Sequence, residues 1–241
     1  MKDLSQYYKE LDSIDDEDDE YFYQKILEDA MGGNDPNAFF VLGRLYLEGY
    51  NVGRDLGKAI KYFRIAYELT DELDSFRAIT LLSKHRDEFI LTAEIKRSFM
   101  SFLEYLSQRD KMVLIVLADE YGMGELTDKD IQKKMELYEL AGEEGETFGY
   151  ACLGEMYYKG EEVEKNYQKA YDYLIKSDDS ISTIKEFYLG EMYRQGIIVN
   201  QDIKEAVKYY KRIVDKSDYR GDDKYSLALQ RLEELEKSFK E

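Results

Sequence analysis

The sequence predicts an all-α protein, a right-handed α-solenoid of about five stacked antiparallel helix pairs with a capping helix at each end. A short signature of leucine, small residue, tyrosine and glycine occurs four times, and the last three copies lie 36 residues apart. Apolar residues follow helical spacing, and the alternation that is typical of strands is absent. A fixed period of this length is typical of solenoids, in which each unit buries its apolar face against its neighbours.

Each signature predicts the first helix of a pair. The four copies begin at Leu42, Leu117, Leu153 and Leu189 and end at Gly49, Gly124, Gly160 and Gly196. The small residue that follows each leucine indicates close approach of another helix, because glycine inside a helix costs about 1 kcal/mol relative to alanine. The final glycine follows the last apolar position, where a left-handed residue ends a helix.

The second helix of each pair is predicted by three further columns in the same register. A good N-cap residue follows each small residue by twelve positions: Asp55, Asp130, Asn166 and Asp202. Sixteen positions after the small residue come Ala59, Lys134, Ala170 and Ala206. Two bulky residues then face inward, and these pairs are Tyr62 and Phe63, Leu137 and Tyr138, Tyr173 and Leu174, and Tyr209 and Tyr210.

A degenerate repeat is predicted in the 75 residues that separate Gly43 from Ala118. With Ser83 in the small-residue column, Arg86 replaces the tyrosine and Phe89 replaces the final glycine. The second helix is kept and the usual loop is lost. Such a repeat is either a local irregularity or a specialised contact site.

The predicted organisation has three parts. Residues 1–36 form an acidic segment with a capping helix over 20–32 that lacks a partner helix, and residues 222–241 form the C-terminal capping helix. The array over 37–218 divides into repeats 37–72, 76–110 (degenerate), 112–146, 147–180 and 184–218.

Composition narrows the classes of partner and compartment. The net charge of −18 argues against nucleic acids and anionic membranes, which bind basic surfaces. The single cysteine and the lack of an apolar signal core predict a cytoplasmic protein without disulfides. Part of the acidic excess lies in residues 15–20, which are either simply solvated or an electrostatic docking arm.

The repeat resembles the Sel1-like repeat, a branch of the tetratricopeptide superfamily. One unit carries the full pattern: Leu189, Gly190, Met192, Tyr193, Gly196, Val199, Asp202, Ala206, Tyr209 and Tyr210. The resemblance covers about residues 37–218 and implies a solenoid that binds other proteins, as adaptor, virulence factor or regulator of assemblies. The paired cysteines of the secreted branch are missing here, so the β-lactam binding reported for that branch is not implied.

No catalytic, cofactor-binding or metal-binding constellation is predicted. The lone histidine, His85, lies in the degenerate repeat and is expected to be an exposed helix residue. Cys152 precedes a core position and is expected to be a small buried or half-buried residue. The acidic run lacks the glycine and the spacing of a calcium loop. We therefore predict that the protein is not an enzyme.

A partner-binding groove follows from the resemblance, because first helices line the concave face in this superfamily. The outward positions are Arg44, Leu47, Lys84, Asp119, Met123, Glu155, Tyr158, Glu191 and Arg194. The position after the small residue changes from basic at Arg44 and Lys84 to acidic at Asp119, Glu155 and Glu191. This change predicts that a basic segment of the partner lies toward the C-terminal half. The alternative is that these side chains pack between adjacent helices.

The function predicted from the sequence is therefore a bacterial, non-enzymatic adaptor or scaffold that binds a protein or peptide. A more specific alternative is an immunity or inhibitor protein that neutralises a basic toxin or effector, suggested by the small size and the acidic charge. Co-purification with a basic nuclease or effector would support that alternative.

Overall fold

The computed structural model describes residues 3–12, 19–50, 52–178, 183–215 and 222–238, and all regular structure in these ranges is helical. The predicted all-α fold of paired helices is therefore confirmed. The described chain forms two compact units: unit 1 is Met1–Val113 with Met123–Lys129, and unit 2 is Leu114–Gly122 with Asp130–Glu241. Residues 15–18, the first part of the acidic run, lie outside the described ranges.

The described residues of unit 1 form six α-helices. They are α1 (Leu4–Asp12), α2 (Asp19–Gly33), α3 (Pro36–Glu48), α4 (Leu56–Leu69), α5 (Ser75–His85) and α6 (Ala93–Ser107). Helix α3 begins as predicted, with the Asp35 side chain accepting from the N–H of Asn37 and with Pro36 in the first turn. Helices α3 and α4 pack against each other as an antiparallel pair.

Unit 2 contains the remaining repeats. Its helices are α7 (Met112–Met123, with residues 114–122 in this unit), α8 (Ile131–Glu143), α9 (Phe148–Lys159), α10 (Tyr167–Lys176), α11 (Thr183–Gln195), α12 (Ile203–Val214) and α13 (Asp223–Ser238). Helices α9 and α10 form one pair, and α11 and α12 form another. No described helix is long and apolar enough to span a bilayer.

The turn within a pair is built in the same way four times. In each, the N–H of the N-cap residue donates at 2.9 Å to the carbonyl oxygen of the signature tyrosine, as from Asp202 to Tyr193. The side chain of the cap then accepts from the N–H three residues later at 2.9–3.0 Å. The signature glycines have φ between +69° and +83°, the left-handed conformation that ends a helix. The predicted N-caps are confirmed.

The two helices of a pair meet at the small residue of the signature. A Cβ atom placed on Gly154 would lie 2.6 Å from Cγ of Leu174 and 3.3 Å from the carbonyl oxygen of Ala170. The same construction on Gly43 would meet the ring of Phe63 at 2.6 Å, and on Gly190 the ring of Tyr210 at 2.7 Å. The glycines therefore allow the second helix to lay a bulky side chain directly on the backbone of the first.

Paired tyrosine rings bridge three of the helix pairs beside this crossing. The rings of Tyr46 and Tyr62, Tyr157 and Tyr173, and Tyr193 and Tyr209 stack with centroids 5.6, 5.9 and 5.6 Å apart and planes within 18° of parallel. Stacking at this distance is favourable beyond the apolar area that it buries. These tyrosines pack within the repeat, as their positions predict.

Helix α1 was not predicted from the sequence; it packs on α3 and also contacts α2 through two side-chain bonds. Helix α1 supplies Tyr7, which is fully buried and donates its hydroxyl to Asp29 at 3.1 Å and Asp35 at 3.0 Å. Lys25 and Glu10 form an ion pair between the two helices at 2.9 Å. Helix α1 lies outside the repeat signature, so the periodic pattern gave no signal for it.

The degenerate repeat has the irregular turn that the sequence indicates. Helix α5 ends at His85 in a 3-10 turn over Arg86–Glu88, and Phe89 then takes an extended conformation. The second helix, α6, is retained, and Phe102 and Leu103 are fully buried in it.

Helix α13 ends unit 2 with one apolar and one polar face. Ala228 is fully buried, while four exposed polar residues follow the opposite side: Asp223, Ser226, Gln230 and Glu233. A polar outer face is what a helix at the end of a repeat array needs for contact with water.

We predict that Gly154→Ala lowers the free energy of unfolding by about 1–3 kcal/mol, because the added methyl group overlaps Leu174. Urea denaturation measures this change. Gly32→Ala in α2 is the matched control, since a Cβ atom there meets nothing within 4 Å. We expect that control to be neutral or to stabilise by up to about 1 kcal/mol. Equal effects of both substitutions would show that no close crossing exists at Gly154.

Candidate partner-binding face

Each unit has one candidate face, formed by residues of the first helices together with residues of α1 in unit 1 and of α13 in unit 2. We call the residues Tyr8, Arg44, Arg77 and Lys84 the unit 1 face, and the residues Asp119, Glu155, Tyr158, Glu191, Arg194, Lys224 and Arg231 the unit 2 face. The unit 1 face lies on α1, α3 and α5, and the unit 2 face lies on α7, α9, α11 and α13. These faces contain most of the residues predicted to bind a partner.

Two of the predicted groove residues are buried and need correction. Leu47 has 0% of its surface exposed and packs inside unit 1, and Glu191 has only 5% exposed. Neither side chain is open to a partner, because each faces neighbouring helices and not solvent. Lys84 and Met123 are exposed, whereas Arg44, Asp119, Glu155, Tyr158 and Arg194 are half-buried.

Glu155 lies at the centre of a charged cluster. Its carboxylate is 2.9 Å from Nζ of Lys159 and 3.1 Å from Nζ of Lys224, and it accepts a hydrogen bond from Tyr188 at 2.9 Å. Burial alone raises the pKa of this carboxyl, but the hydrogen bond from Lys159 and the charge of Lys224 outweigh it and hold the pKa below its ordinary value. Glu155 is thus an ionised and fully partnered group.

Four hydrogen-bond donors stabilise the ionised carboxylate of Glu191. It accepts hydrogen bonds from Arg194 at 2.6 Å, Tyr210 at 2.7 Å and Arg231 at 2.9 Å, and from Gln195 at 2.7 Å. Burial opposes ionisation, but the hydrogen bonds from Arg194, Tyr210 and Arg231 lower the pKa of Glu191 to about 2. The carboxylate therefore stays charged throughout the neutral and mildly acidic range.

The pairing of these acids corrects the electrostatic premise of the predicted groove. The sequence column is acidic at Glu155 and Glu191, but α13 brings Lys224 and Arg231 to those two carboxylates. Lys159 of α9 also pairs with Glu155, and Arg194 of α11 also pairs with Glu191. Both carboxylates are therefore already paired with cations. A basic partner segment would have to displace these cations, so the column by itself does not indicate a basic partner.

Asp119 differs from the other two acids because burial raises its pKa, although the hydrogen bond from Tyr138 opposes that shift. Beside it, Lys134 and Glu162 form an ion pair at 2.6 Å.

A cavity of about 220 Å³ lies between α8 and α9, lined in part by Lys134, Tyr138 and Cys152. Burial raises the pKa of the Cys152 thiol, so this half-buried cysteine remains protonated and is a poor nucleophile.

A tyrosine-to-acid hydrogen bond recurs between the two helices of a pair. Tyr138 donates to Asp119 and Tyr210 donates to Glu191, and in both cases the acid follows the small residue and the tyrosine ends the bulky pair. In the repeat between them Leu174 replaces this tyrosine, and Glu155 instead accepts from Tyr188 of the next first helix. The common spacing of 19 residues was readable in the sequence, and it is the signal that could have predicted these acids to be partnered.

The unit 1 face is built around an aromatic ring that sequence reasoning missed. The guanidinium carbon of Arg44 lies 4.8 Å from the ring centroid of Tyr8, and that of Arg77 lies 4.9 Å from the same centroid. Arg44 is also paired to Glu48 at 2.8 Å. Because Tyr8 lies on α1 and Arg77 lies outside the signature, no repeat column indicated either residue.

His85 is not the exposed helix residue that was expected. Only 15% of its side chain is exposed, and its Nδ1 lies 3.0 Å from Glu88, which is also paired to Arg54. The contact between His85 and Glu88 therefore stabilises the irregular turn of the degenerate repeat. Among the described residues no group of three or more histidine, cysteine, aspartate or glutamate side chains is arranged to hold a metal ion.

Comparisons with known proteins agree with this architecture. The family model for the Sel1 repeat matches residues 38–71, 114–146, 150–177 and 186–218, more than half of the chain. The crystal structure of a Sel1 repeat protein from Oxalobacter formigenes is similar, with a TM-score of 0.55 and 20% identity over 98% of this chain and 99% of that chain. No curated protein sequence matches the chain.

A second solved structure is similar over a shorter share of its own length. It is a protective antigen of uropathogenic Escherichia coli strains with an SLR fold, at a TM-score of 0.54 and 21% identity. The match covers 88% of this chain and 48% of that one, so the present chain spans about half of that protein. At these identities both likenesses concern the fold alone.

We predict that Glu191→Gln removes about 1–2 kcal/mol of stability at pH 7, a figure reduced for the solvent screening of the half-exposed arginines. Because the folded-state pKa is lowered to about 2, this contribution is present above the unfolded value of 4.5 and is lost as pH falls toward 2. Urea unfolding of wild type and variant from pH 7 to pH 2 should therefore converge. Glu233→Gln, at an exposed site of α13, should change stability little at any pH, and an equal effect there would contradict the assignment.

Proposed function

We propose that this chain, which belongs to the Sel1 repeat family, is a non-enzymatic adaptor that binds a protein or peptide partner through its first-helix faces. Proteins of this family are generally protein-interaction modules. The observation that carries the proposal for this chain is the ordered aromatic and charged surface around Tyr158 on the unit 2 face.

The ring of Tyr158 is half-buried between two other tyrosines. Its centroid lies 5.2 Å from that of Tyr167 and 4.6 Å from that of Tyr188, and its hydroxyl accepts from Gln195 at 3.4 Å. Burial and the nearby charge of Glu191 raise the pKa of Tyr158 to about 12, so the hydroxyl remains a neutral hydrogen-bonding group. A half-buried tyrosine held between other rings is a type of residue that often dominates binding energy at protein interfaces.

The charged residues around Tyr158 suit binding better than catalysis. Glu155 and Glu191 are each satisfied by several donors, so neither is poised to take a proton from a substrate. Their geometry is fixed before a partner arrives, which reduces the entropy lost on association. A half-exposed tyrosine with a rim of fixed charges is the arrangement found in protein interfaces.

The partner in this proposal is a protein or peptide, without the basic character expected from the acidic column. The inhibitor alternative rests on net charge and chain length, and no contact among the described residues favours it. A cytoplasmic site of action is proposed from the single cysteine, which fits a reducing compartment.

The test places a photo-crosslinking amino acid at position 158 of the full chain in its native host. The control position is Lys208, which lies exposed on α12, a second helix of unit 2. We expect a discrete protein adduct from position 158 and none from position 208. Adducts that are the same from both positions would contradict a partner site on the unit 2 face.

A second variant measures the contribution of the ring once the adduct is identified. Tyr158→Ala should weaken binding of that protein by at least about tenfold, or about 1.4 kcal/mol, because a central interface tyrosine is removed. Thermal melting confirms that the variant is folded. Unchanged affinity in a folded variant would place the interface elsewhere.

A further inference from the structure

We propose that the groove between α4 and α6 of unit 1 binds a phosphorylated residue in an extended segment of a partner protein. We call it the α4–α6 groove, and its polar lining residues are Lys61, Arg64, Glu68, Arg97, Ser98 and Ser101. Both helices are second helices of their repeats, so no residue of the groove belongs to a first-helix face. The inference therefore goes beyond the proposed function and does not depend on it.

The α4–α6 groove is a basic surface on an acidic chain. Its volume is about 400 Å³, and it lies where α4 and α6 pack against each other. The cations Lys61, Arg64 and Arg97 line it, and Glu68 is the only acid among its lining residues. The acidic residues of α6 do not line the groove. The net charge of the lining is thus positive, whereas the net charge of the whole chain is −18.

The guanidinium of Arg64 has a fixed position in the groove. Its Nε donates to Oε1 of Glu68 at 2.9 Å, and its Nη1 donates to Oγ of Ser101 at 3.0 Å. Its guanidinium carbon lies 5.5 Å from the ring centroid of Tyr105. The charge of Glu68 is therefore balanced within the chain, while Nη2 of Arg64 makes no hydrogen bond among the described residues. An arginine that is ordered in advance loses less entropy when it binds a ligand.

The other polar groups of the groove are unused hydrogen-bond donors. Ser98 is half-buried, and its hydroxyl has no hydrogen-bond partner within the described ranges. The Ser101 oxygen accepts from Arg64, so its own proton can still be donated. Lys61 and Arg97 are exposed and form no ion pair in the part of the chain that the structure describes. A ligand that matches this groove therefore supplies several acceptors and no donors, which is the chemistry of an oxyanion.

The placement of the donors on two helices favours a phosphate group over a carboxylate. Lys61 and Arg64 are neighbours on the surface of α4, and Arg97 and Ser101 are neighbours on α6, so each helix turns two donors toward the groove. A carboxylate has two oxygens in one plane, which a single guanidinium satisfies. A phosphorylated residue carries about two negative charges and three acceptor oxygens. Because these oxygens point in different directions, they can accept from α4 and from α6 at the same time.

The size of the groove favours a phosphorylated peptide over free phosphate. The lining residues of α4 extend from Gly57 to Glu68, a span of roughly 16 Å along the helix axis. This span matches about five residues of an extended chain. Ile60 is buried and Ile65 is half-buried, and they give the groove apolar surface for residues that flank the phosphate. A nucleic acid or an anionic membrane is disfavoured by the net charge of −18.

The experiment measures the fluorescence anisotropy of labelled nine-residue peptides mixed with the full chain. Each peptide pool has randomised flanking residues and a fixed central residue, which is phosphoserine, serine or glutamate. We expect the phosphoserine pool to bind at least tenfold more tightly than the serine pool and severalfold more tightly than the glutamate pool. Inorganic phosphate should displace the labelled pool only at a concentration at least tenfold higher than the unlabelled phosphoserine pool requires.

Substitutions in the groove locate the binding site. K61Q/R97Q should weaken binding of the phosphoserine pool at least tenfold, and Ser98→Ala should weaken it severalfold. The matched control is K204Q/R212Q, which removes the same charges from exposed positions of α12, another second helix, and should leave affinity unchanged. Thermal melting confirms that each variant is folded.

Three results would overturn the inference: equal binding of the phosphoserine and serine pools, equal displacement by inorganic phosphate and by the unlabelled phosphoserine pool, or an equal loss of affinity in K61Q/R97Q and K204Q/R212Q. The outcome is separable from the test of the proposed function. A partner adduct at position 158 without binding of the phosphoserine pool would reject only the α4–α6 site. Binding that K61Q/R97Q weakens, without an adduct at position 158, would reject only the unit 2 site.

Discussion

The close crossing of two helices at a bare glycine is the constraint on which the repeats depend. Where Gly43, Gly154 or Gly190 lies, a bulky side chain of the second helix rests directly on the backbone of the first. This contact fixes the distance between the helices and the register of one against the other. The same register stacks the signature tyrosines on those of the second helix. It also brings the hydroxyl of Tyr210 to the carboxylate of Glu191. The packing of the two helices therefore also determines a hydrogen bond of the unit 2 face.

The terminal helices complete the two faces. Helix α1 adds Tyr8, on which Arg44 and Arg77 are ordered, and α13 adds Lys224 and Arg231, which neutralise the acids of α9 and α11. Neither helix carries the repeat signature. A column of charges in the sequence is therefore a poor guide to the charge of the surface, because some of the ions that balance it, Lys224 and Arg231, come from a helix outside the pattern. In unit 2 the acids Glu155 and Glu191 are therefore already paired with cations.

Much of the fold follows from local sequence signals. The N-caps, the left-handed glycines and the helix crossings are set by residues within a single pair, and the sequence predicts them well. The burial of Leu47, the pairing of Glu191 and the contacts of α1 depend on helices outside the repeat pair in question. No periodic pattern records such contacts. The bond from Tyr210 to Glu191 is an intermediate case, because its spacing repeats in another pair and was readable in advance.

A double-mutant cycle between Gly43 and Phe63 tests the crossing most directly. The three atoms nearest to a Cβ atom placed on Gly43 all belong to the ring of Phe63, and the closest is 2.6 Å away. Urea unfolding should show that Gly43→Ala costs about 1–3 kcal/mol in the wild-type background and close to nothing when Phe63 is alanine. Equal costs of Gly43→Ala in the two backgrounds would contradict the account, since the glycine would then serve some purpose other than admitting the ring.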